Sequence, residues 1–217
     1  IFHDKSIAYS YNQEFNQIRR GLFGQGDATR NSTKPRMYNV GGIPVRILFS
    51  PDNVPELEMV KQMLKASHRI DFAIFTFSGS SAIDDAMVMV SRAGVTIRGA
   101  LEAKQANQKW SAREWLQRAN IDFYYPNDRD EVFKGKLGKL HHKLMVIDDA
   151  VYIGSANLDV RSMFINLEIM VRIKDEALAL YMRTLIDGLV AQSEEQTPVL
   201  LKARDNIWSR FKAAIAY

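Results

Sequence analysis

From Val45 onwards, short apolar runs alternate with stretches whose apolar residues recur at helical spacing. This alternation constrains the fold more than any other feature of the chain. Apolar runs bounded by turn residues predict buried strands, and apolar residues three and four apart predict helices that pack on them. Strands that alternate with helices favour a largely parallel or mixed sheet. We therefore predict an α/β fold, a mixed β-sheet flanked by helices on both faces.

The predicted elements follow one another through short connections. Strands are predicted over 45–49, 70–77, 95–101, 121–125, 140–147, 151–155 and 167–173, and helices over 55–67, 83–93 and 175–192. Ser111 and Glu114 have the spacing of a capping box at the start of a further short helix. The turn at 148–150 between two predicted strands indicates a hairpin.

Composition divides the chain into four parts. Residues 24–44 are rich in glycine, proline and small polar residues and predict a linker. Before it, residues 1–23 predict a tail helix. After it, residues 45–195 form the main domain, and residues 196–217 predict an amphipathic C-terminal helix.

The tail helix shares a pattern with the helix predicted over 175–192. At one constant offset, Asp4, Ile7, Ala8 and Phe15 match Asp175, Leu178, Ala179 and Ile186. One interpretation is that residues 1–23 end a preceding, homologous unit. The other is a chance likeness between two amphipathic helices.

Composition also excludes several classes of function. The chain has no cysteine, which excludes disulfides, a thiol nucleophile and thiolate zinc sites. No apolar run approaches the roughly 18 residues that a membrane span needs. Lys and Arg exceed Asp and Glu by 29 to 25, so the formal charge of +4 is only a weak indication of anionic partners. We expect no metal and no other cofactor.

The residues with the clearest chemistry flank the predicted hairpin. On a strand, residues two apart share a face, so His141 and Lys143 should project together while His142 projects the other way. Ser155 and Asn157 form a similar pair after the hairpin. An imidazole, an ammonium, a hydroxyl and an amide are groups that bind and transfer a phosphoryl group.

The spacing of these residues resembles a known motif. The string His-x-Lys-x4-Asp, followed after five intervening residues by Gly-Ser-x-Asn, is similar to the HKD motif of the phospholipase D superfamily. The resemblance implies phosphodiester cleavage through a covalent phosphohistidine. It assigns the roles of nucleophile to His141, phosphate ligand to Lys143 and Asn157, supporting donor to Ser155 and orienting partner of the imidazole to Glu168. Asp148 and Gly154 are expected to be structural, with Asp148 anchoring the hairpin.

The superfamily places two such motifs face to face, and the histidine of the second protonates the leaving oxygen. The remaining histidines, His3, His68 and His142, lack the lysine and the Gly-Ser-x-Asn string. We therefore expect the second motif to come from an identical subunit or from an N-terminal half that precedes this chain. The tail helix favours the N-terminal half, and a lone chain should be inactive.

Phospholipid is the favoured substrate. Residues 154–162, with Asn166 and Glu168, resemble the second motif of bacterial cardiolipin synthases, which transfer a phosphatidyl group to an alcohol. Basic residues flank an apolar face in 196–217, a pattern typical of a helix on an anionic membrane and also of an ordinary packed helix. The lipid interpretation implies the bacterial cytoplasm or the inner-membrane surface.

Two alternatives remain open. Residues 45–143 resemble nuclease-type members of the superfamily, which would make the chain a metal-independent nuclease acting on DNA or RNA. The basic segment 134–139 would then guide an anionic substrate, or it is only a solvated turn. A third interpretation is a non-catalytic module for phosphate binding or dimerisation.

Overall fold

A computed structural model describes residues 3–22, 35–126, 139–191 and 193–194. The helices are α1 Lys5–Arg19, α2 Pro55–Met63, α3 Ala82–Arg92, α4 Ala103–Ala106, α5 Arg113–Arg118, α6 Val160–Phe164 and α7 Glu176–Ala191. The strands are β1 Met37–Val40, β2 Ile43–Ser50, β3 Arg69–Ile74, β4 Thr96–Leu101, β5 Asp122–Pro126, β6 Lys143–Ile147, β7 Ala150–Gly154, β8 Glu168–Lys174 and β9 Ser193–Glu194.

Within these residues the strands form one mixed sheet, in the order β1-β2-β8-β7-β6-β3-β4-β5-β9. Strands β3, β4 and β5 are parallel, as their helical crossovers require, and the other pairs are antiparallel. Strand β6 lies near the middle, between β7 and β3. The predicted mixed sheet with helices on both faces is confirmed.

The two faces carry separate cores. Leu48, Phe72 and Met145 belong to the larger core, which α2, α3 and α5 cover. Because neighbouring residues of a strand face opposite sides, Leu144 belongs to the other face, where α7 packs. On that same face α1 packs over β2 through Ile7. The motif strand β6 is therefore covered on both sides.

The likeness between the tail helix and α7 extends to their first turns. The Asp4 carboxylate accepts a hydrogen bond from the Ile7 N–H at 2.8 Å, and the Asp175 carboxylate accepts one from the Leu178 N–H at 2.7 Å. The likeness does not extend to the buried face. Phe15 is 62% exposed, whereas Ile186 is fully buried.

Two local predictions differ from the structure. Residues 37–40, assigned to the linker, form the edge strand β1, because Gly41 and Gly42 both have positive φ and turn the chain back into β2. The capping box is wrong: α5 begins at Arg113 after an Ala112 N-cap, and Ser111 instead pairs with Ser78 in an isolated bridge.

Several predicted segments lie outside the described residues. They are 23–34 of the tail and linker, 134–138 of the basic segment, Gln192 and the C-terminal helix at 196–217. Among the helices that are described, none has the length and apolarity needed to cross a bilayer.

Candidate active site

The hairpin β6–β7 is fixed to the sheet at its turn. Asp148 has a φ of 49°, and its carboxylate accepts hydrogen bonds from the backbone N–H groups of Ser67, His68 and Arg69 at 2.9, 3.1 and 3.0 Å. These donors lie at the start of β3, the strand that pairs with β6. Asp148 therefore ties the turn to the start of the neighbouring strand, which is the anchoring position expected for it.

At the other end of β6, the two strands hold the motif residues. Lys143 is the first residue of β6 and pairs with Ile74 of β3, and the Phe75 N–H donates to the His142 carbonyl at 2.8 Å. The strand was predicted to begin at residue 140, but it begins at Lys143. His141 therefore lies just before the strand rather than within it. The hydrogen bond from Phe75 fixes the backbone of the next residue, His142.

His141 and Lys143 project together. Lys143 Nζ lies 3.3 Å from His141 Nε2 and 3.2 Å from the His141 carbonyl oxygen. An ammonium only donates, so this contact fits the ring tautomer in which Nε2 is the acceptor and Nδ1 carries the proton. Beside this pair, His142 is half-buried, and its Nδ1 has no hydrogen-bond partner among the described residues.

The surroundings favour a neutral His141. Burial lowers its pKa from the ordinary 6.5, and the charges of Lys143 and Lys139 lower it further. Burial also lowers the pKa of Lys143, an effect that Glu168 and Asp159 oppose and Lys139 reinforces. At neutral pH the site therefore offers an unprotonated imidazole beside a cation.

The other predicted site residues form a second group. Glu168 accepts hydrogen bonds from Ser155 Oγ and from Asn166 Nδ2, the latter at 3.4 Å. Ser155 Oγ in turn accepts from the Ile169 N–H at 3.0 Å. Within the described residues no hydrogen bond joins Glu168 to His141. Glu168 is therefore held by Ser155 and Asn166, and its expected contact with the imidazole is not made.

Asn157 lies in the segment that is hydrogen-bonded to the residues after β3. The next residue, Leu158, donates its N–H to the Thr76 carbonyl at 3.0 Å and accepts from the Ser78 N–H at 2.9 Å. The Asn157 Oδ1 is buried and has no hydrogen-bond partner among the described residues. Its side chain thus retains an acceptor for a further group.

Sequence reasoning missed Phe75, and it named Lys139 only as part of the basic segment 134–139. The Phe75 ring lies 4.6 Å from the His141 ring, centroid to centroid, and Lys139 Nζ lies 4.2 Å from the Phe75 centroid. No spacing in the sequence relates Phe75 to the motif, because the antiparallel pairing of β3 with β6 brings them together. Within the described residues no cluster of three or more His, Asp or Glu side chains has the arrangement of a metal site.

Two solved structures share the fold of this chain. NucT from Helicobacter pylori superimposes with a TM-score of 0.63 and 18% identity, over 71% of this chain and 99% of that one. A phospholipase D family member, Nuc from Salmonella typhimurium, superimposes with a TM-score of 0.63 and 17% identity, over 76% of this chain and 100% of that one. At these identities the likeness concerns the fold.

Sequence comparisons identify the family. The family model for the cardiolipin synthase, PLD-like domain matches residues 59–190, more than half of the chain. The chain therefore belongs to this family of phospholipase D-like domains. Such membership suggests phosphodiesterase or transferase activity.

Curated relatives are cardiolipin synthases. Cardiolipin synthase A of Pseudomonas aeruginosa is 41% identical over 69 residues, 31% of this chain and 14% of that protein. The cardiolipin synthase of Staphylococcus aureus is 37% identical over 91 residues, 40% of this chain and 17% of that protein. The matched segment thus spans less than a fifth of either relative.

Proposed function

We propose that this chain supplies one half of a phosphodiesterase site that transfers a phosphatidyl group through a phosphohistidine. His141 Nε2 attacks phosphorus, so that a P–N bond forms as the P–O bond to the leaving alcohol breaks. The leaving oxygen takes its proton from the histidine of a second motif. That histidine then deprotonates water or an acceptor alcohol, which attacks phosphorus and releases His141.

The observation that carries this proposal is the contact between His141 and Lys143. A nucleophile needs an available lone pair, and the Nε2 lone pair that Lys143 contacts becomes free to attack when the ammonium turns to an incoming phosphate oxygen. The same ammonium would neutralise a phosphate oxygen as charge develops on it. Asn157 is the proposed second phosphate ligand, through its Nδ2 amide donors.

Phospholipid is the proposed substrate because the curated relatives are cardiolipin synthases. By that likeness, the acceptor would be the hydroxyl of a second lipid. The two lysines near His141 would also attract an anionic headgroup. Contact of residues 196–217 with a membrane belongs to this proposal.

The second motif would come from an identical subunit or from a preceding homologous domain. The aspartate caps shared by α1 and α7 support a preceding domain, since α1 would be the closing helix of that domain. An identical subunit is the other source. Turnover that rises with the fraction of dimer would favour the subunit.

The test compares His141→Ala with the neighbouring His142→Ala. Turnover of vesicles containing phosphatidylglycerol is measured in EDTA, at concentrations where sedimentation shows an assembly with two motifs. We expect His141→Ala to abolish turnover and to prevent an alkali-stable, acid-labile phosphoenzyme, whereas His142→Ala keeps most activity. Equal losses in the two variants would contradict the assignment, and full turnover by a verified monomer would contradict the need for a second motif.

Cleavage of nucleic acid is the second candidate, favoured by the cationic groups of Lys139 and Lys143 beside the nucleophile. Single-stranded and double-stranded DNA are therefore assayed in parallel. Turnover of DNA but not of vesicles that is lost in His141→Ala would replace the lipid substrate and keep the chemistry. Phosphate binding without any turnover would support a non-catalytic module.

A further inference from the structure

Phe75, the residue directly after β3, contacts three groups of the site. Lys139 Nζ lies 4.2 Å and Lys143 Nζ 4.8 Å from the centroid of its ring. The His141 ring lies 4.6 Å away, with an interplanar angle of 54°. Both ammonium distances are within the range of about 6 Å over which an aromatic face attracts a cation.

The backbone around Phe75 is fixed on two sides. Its N–H donates to the His142 carbonyl at 2.8 Å, and the next carbonyl, of Thr76, accepts from the Leu158 N–H at 3.0 Å. Phe77 and Leu158 also form a parallel bridge. Phe75 therefore lies between the segment that carries His141 and the segment that carries Asn157, and its ring is half-buried there.

The two ammonium groups need an attractive partner, because like charges repel. Within the described residues neither Lys139 nor Lys143 forms an ion pair with a carboxylate. The negative face of the Phe75 ring supplies attraction without a formal charge. A carboxylate in the same place would neutralise the lysines and weaken their attraction for a phosphate.

We propose that Phe75 is a positioning residue, an aromatic platform that holds the ammonium groups of Lys139 and Lys143 beside the His141 ring for an incoming phosphate. This inference rests on the proposed function and adds two elements to it, the platform and Lys139 as a second cationic contact for phosphate beside Lys143. The aromatic face, rather than apolar bulk, is the property that matters. Leucine at this position would fill much of the volume and lack that face.

The test uses the full chain with lysine labelled by ¹³C at Cε, and inorganic phosphate as the probe. Signals of Lys139 and Lys143 are assigned from their loss in Lys139→Arg and Lys143→Arg. In the unaltered chain we expect their Hε protons to be shifted upfield by the ring relative to those of Lys174, which pairs with Asp149 at the opposite end of the hairpin. The order parameters of both Cε groups and the Kd for phosphate are then measured in Phe75→Leu and Phe75→Tyr.

Phe75→Leu should lower both order parameters and weaken phosphate binding by about 5- to 30-fold, as expected for the loss of two cation–π contacts. Phe75→Tyr retains an aromatic face and should restore both measurements. Tyr11→Leu is the matched control, since Tyr11 packs edge-on against Phe49 over β2, on the face that α1 covers, and should change neither.

Unshifted Hε protons in the unaltered chain would overturn the proposal, even if Phe75→Leu fails to fold. A folded Phe75→Leu that binds phosphate within twofold of the unaltered chain, or a Phe75→Tyr as weak as Phe75→Leu, would overturn it as well. None of these measurements requires turnover. Failure of the platform is therefore distinguishable from failure of the proposed function, which the His141→Ala assay decides.

Discussion

The backbone of Gly154 lies so close to Ile169 that a Cβ atom on Gly154 would stand 2.0 Å from the Ile169 carbonyl oxygen. The contact occurs where β7 pairs with β8, immediately before Ser155 donates its N–H to the same carbonyl at 2.9 Å. Only glycine allows this approach. The resulting geometry places Ser155 within hydrogen-bond reach of Glu168.

Gly154→Ala should therefore force β7 and β8 apart and lower the free energy of unfolding by about 1–3 kcal/mol or more, as overpacking does. The matched control is Gly188→Ala in α7, where an added Cβ meets nothing within 4 Å. Because alanine is the better helix former, Gly188→Ala should stabilise by about 0.5–1 kcal/mol. Urea unfolding of both variants checks the prediction, and equal effects would contradict it.

Asp71 should be the most costly carboxylate to neutralise among those in the sheet. It is fully buried, and Arg69, Arg183 and Arg98 approach it at 2.5, 3.0 and 3.6 Å. Asp71→Asn leaves three partly exposed arginines without their shared buried counterion, so we expect the free energy of unfolding to fall by an amount toward the lower end of about 3–5 kcal/mol in thermal or urea unfolding.

Asp187→Asn is the control for Asp71. Asp187 pairs with Arg98 but is 49% exposed, and exposed ion pairs contribute only about 0–1 kcal/mol. A loss in Asp71→Asn no larger than that in Asp187→Asn would show that the buried network contributes little to stability.

Asp148 should stabilise the fold in a pH-dependent way. Burial disfavours its charge, but the N–H donors of Ser67, Arg69 and His68 outweigh burial and lower its pKa from the ordinary 3.8. A lowered folded pKa contributes stability above the unfolded value and loses it as the pH falls through the folded value. Asn tolerates the left-handed backbone, so Asp148→Asn removes mainly the charge.

We expect Asp148→Asn to lower the free energy of unfolding by about 1–2 kcal/mol at neutral pH. This is the difference expected between hydrogen bonds to a charged acceptor and to a neutral one. The difference from the unaltered chain should shrink as the pH falls below about 4. Asp149→Asn, at an exposed neighbour paired with Lys174 at 3.4 Å, should cost little at any pH. A difference in the free energy of unfolding that does not change with pH would show that the charge of Asp148 does not stabilise the fold.

The pH–rate profile should respond in opposite directions to two charge changes. Burial is the main cause that lowers the pKa of Lys143, and beyond it Glu168 raises that pKa while Lys139 lowers it. Glu168→Gln should therefore move the alkaline limb of kcat/KM to lower pH, and Lys139→Gln should move it to higher pH. Lys139→Gln should also move the acidic limb to higher pH, because Lys139 lowers the pKa of His141. Shifts of the alkaline limb in one common direction would contradict this electrostatic account.

The sequence was sufficient to predict the alternation of strands and helices, the hairpin turn at Asp148 and the common direction of His141 and Lys143. Each of these depends on residues close together in the chain, through the periodicity of strands and helices or through the residues of a tight turn. The same reasoning missed β1, because a Gly-Gly pair marks either a linker or a tight hairpin. Which one forms depends on whether Met37–Val40 finds a strand to pair with.

Other features depend on contacts between distant segments. Arg69, Arg98 and Arg183 come from different elements, so nothing in the sequence predicts that they meet at Asp71. For the same reason Glu168 was expected beside the imidazole, whereas Ser155 and Asn166 hold it. The contact of Phe75 with His141 likewise requires the register between β3 and β6.

Strand β6, which begins with Lys143, is hydrogen-bonded on both sides, to β3 and to β7. Amide hydrogens in such a strand exchange with solvent only when the sheet itself opens, so those of 144–147 should be among the last to be replaced by deuterium. Local fraying of edge strands or chain ends would leave the hairpin in place. The Lys143 end of the site should therefore stay assembled until the domain unfolds as a whole.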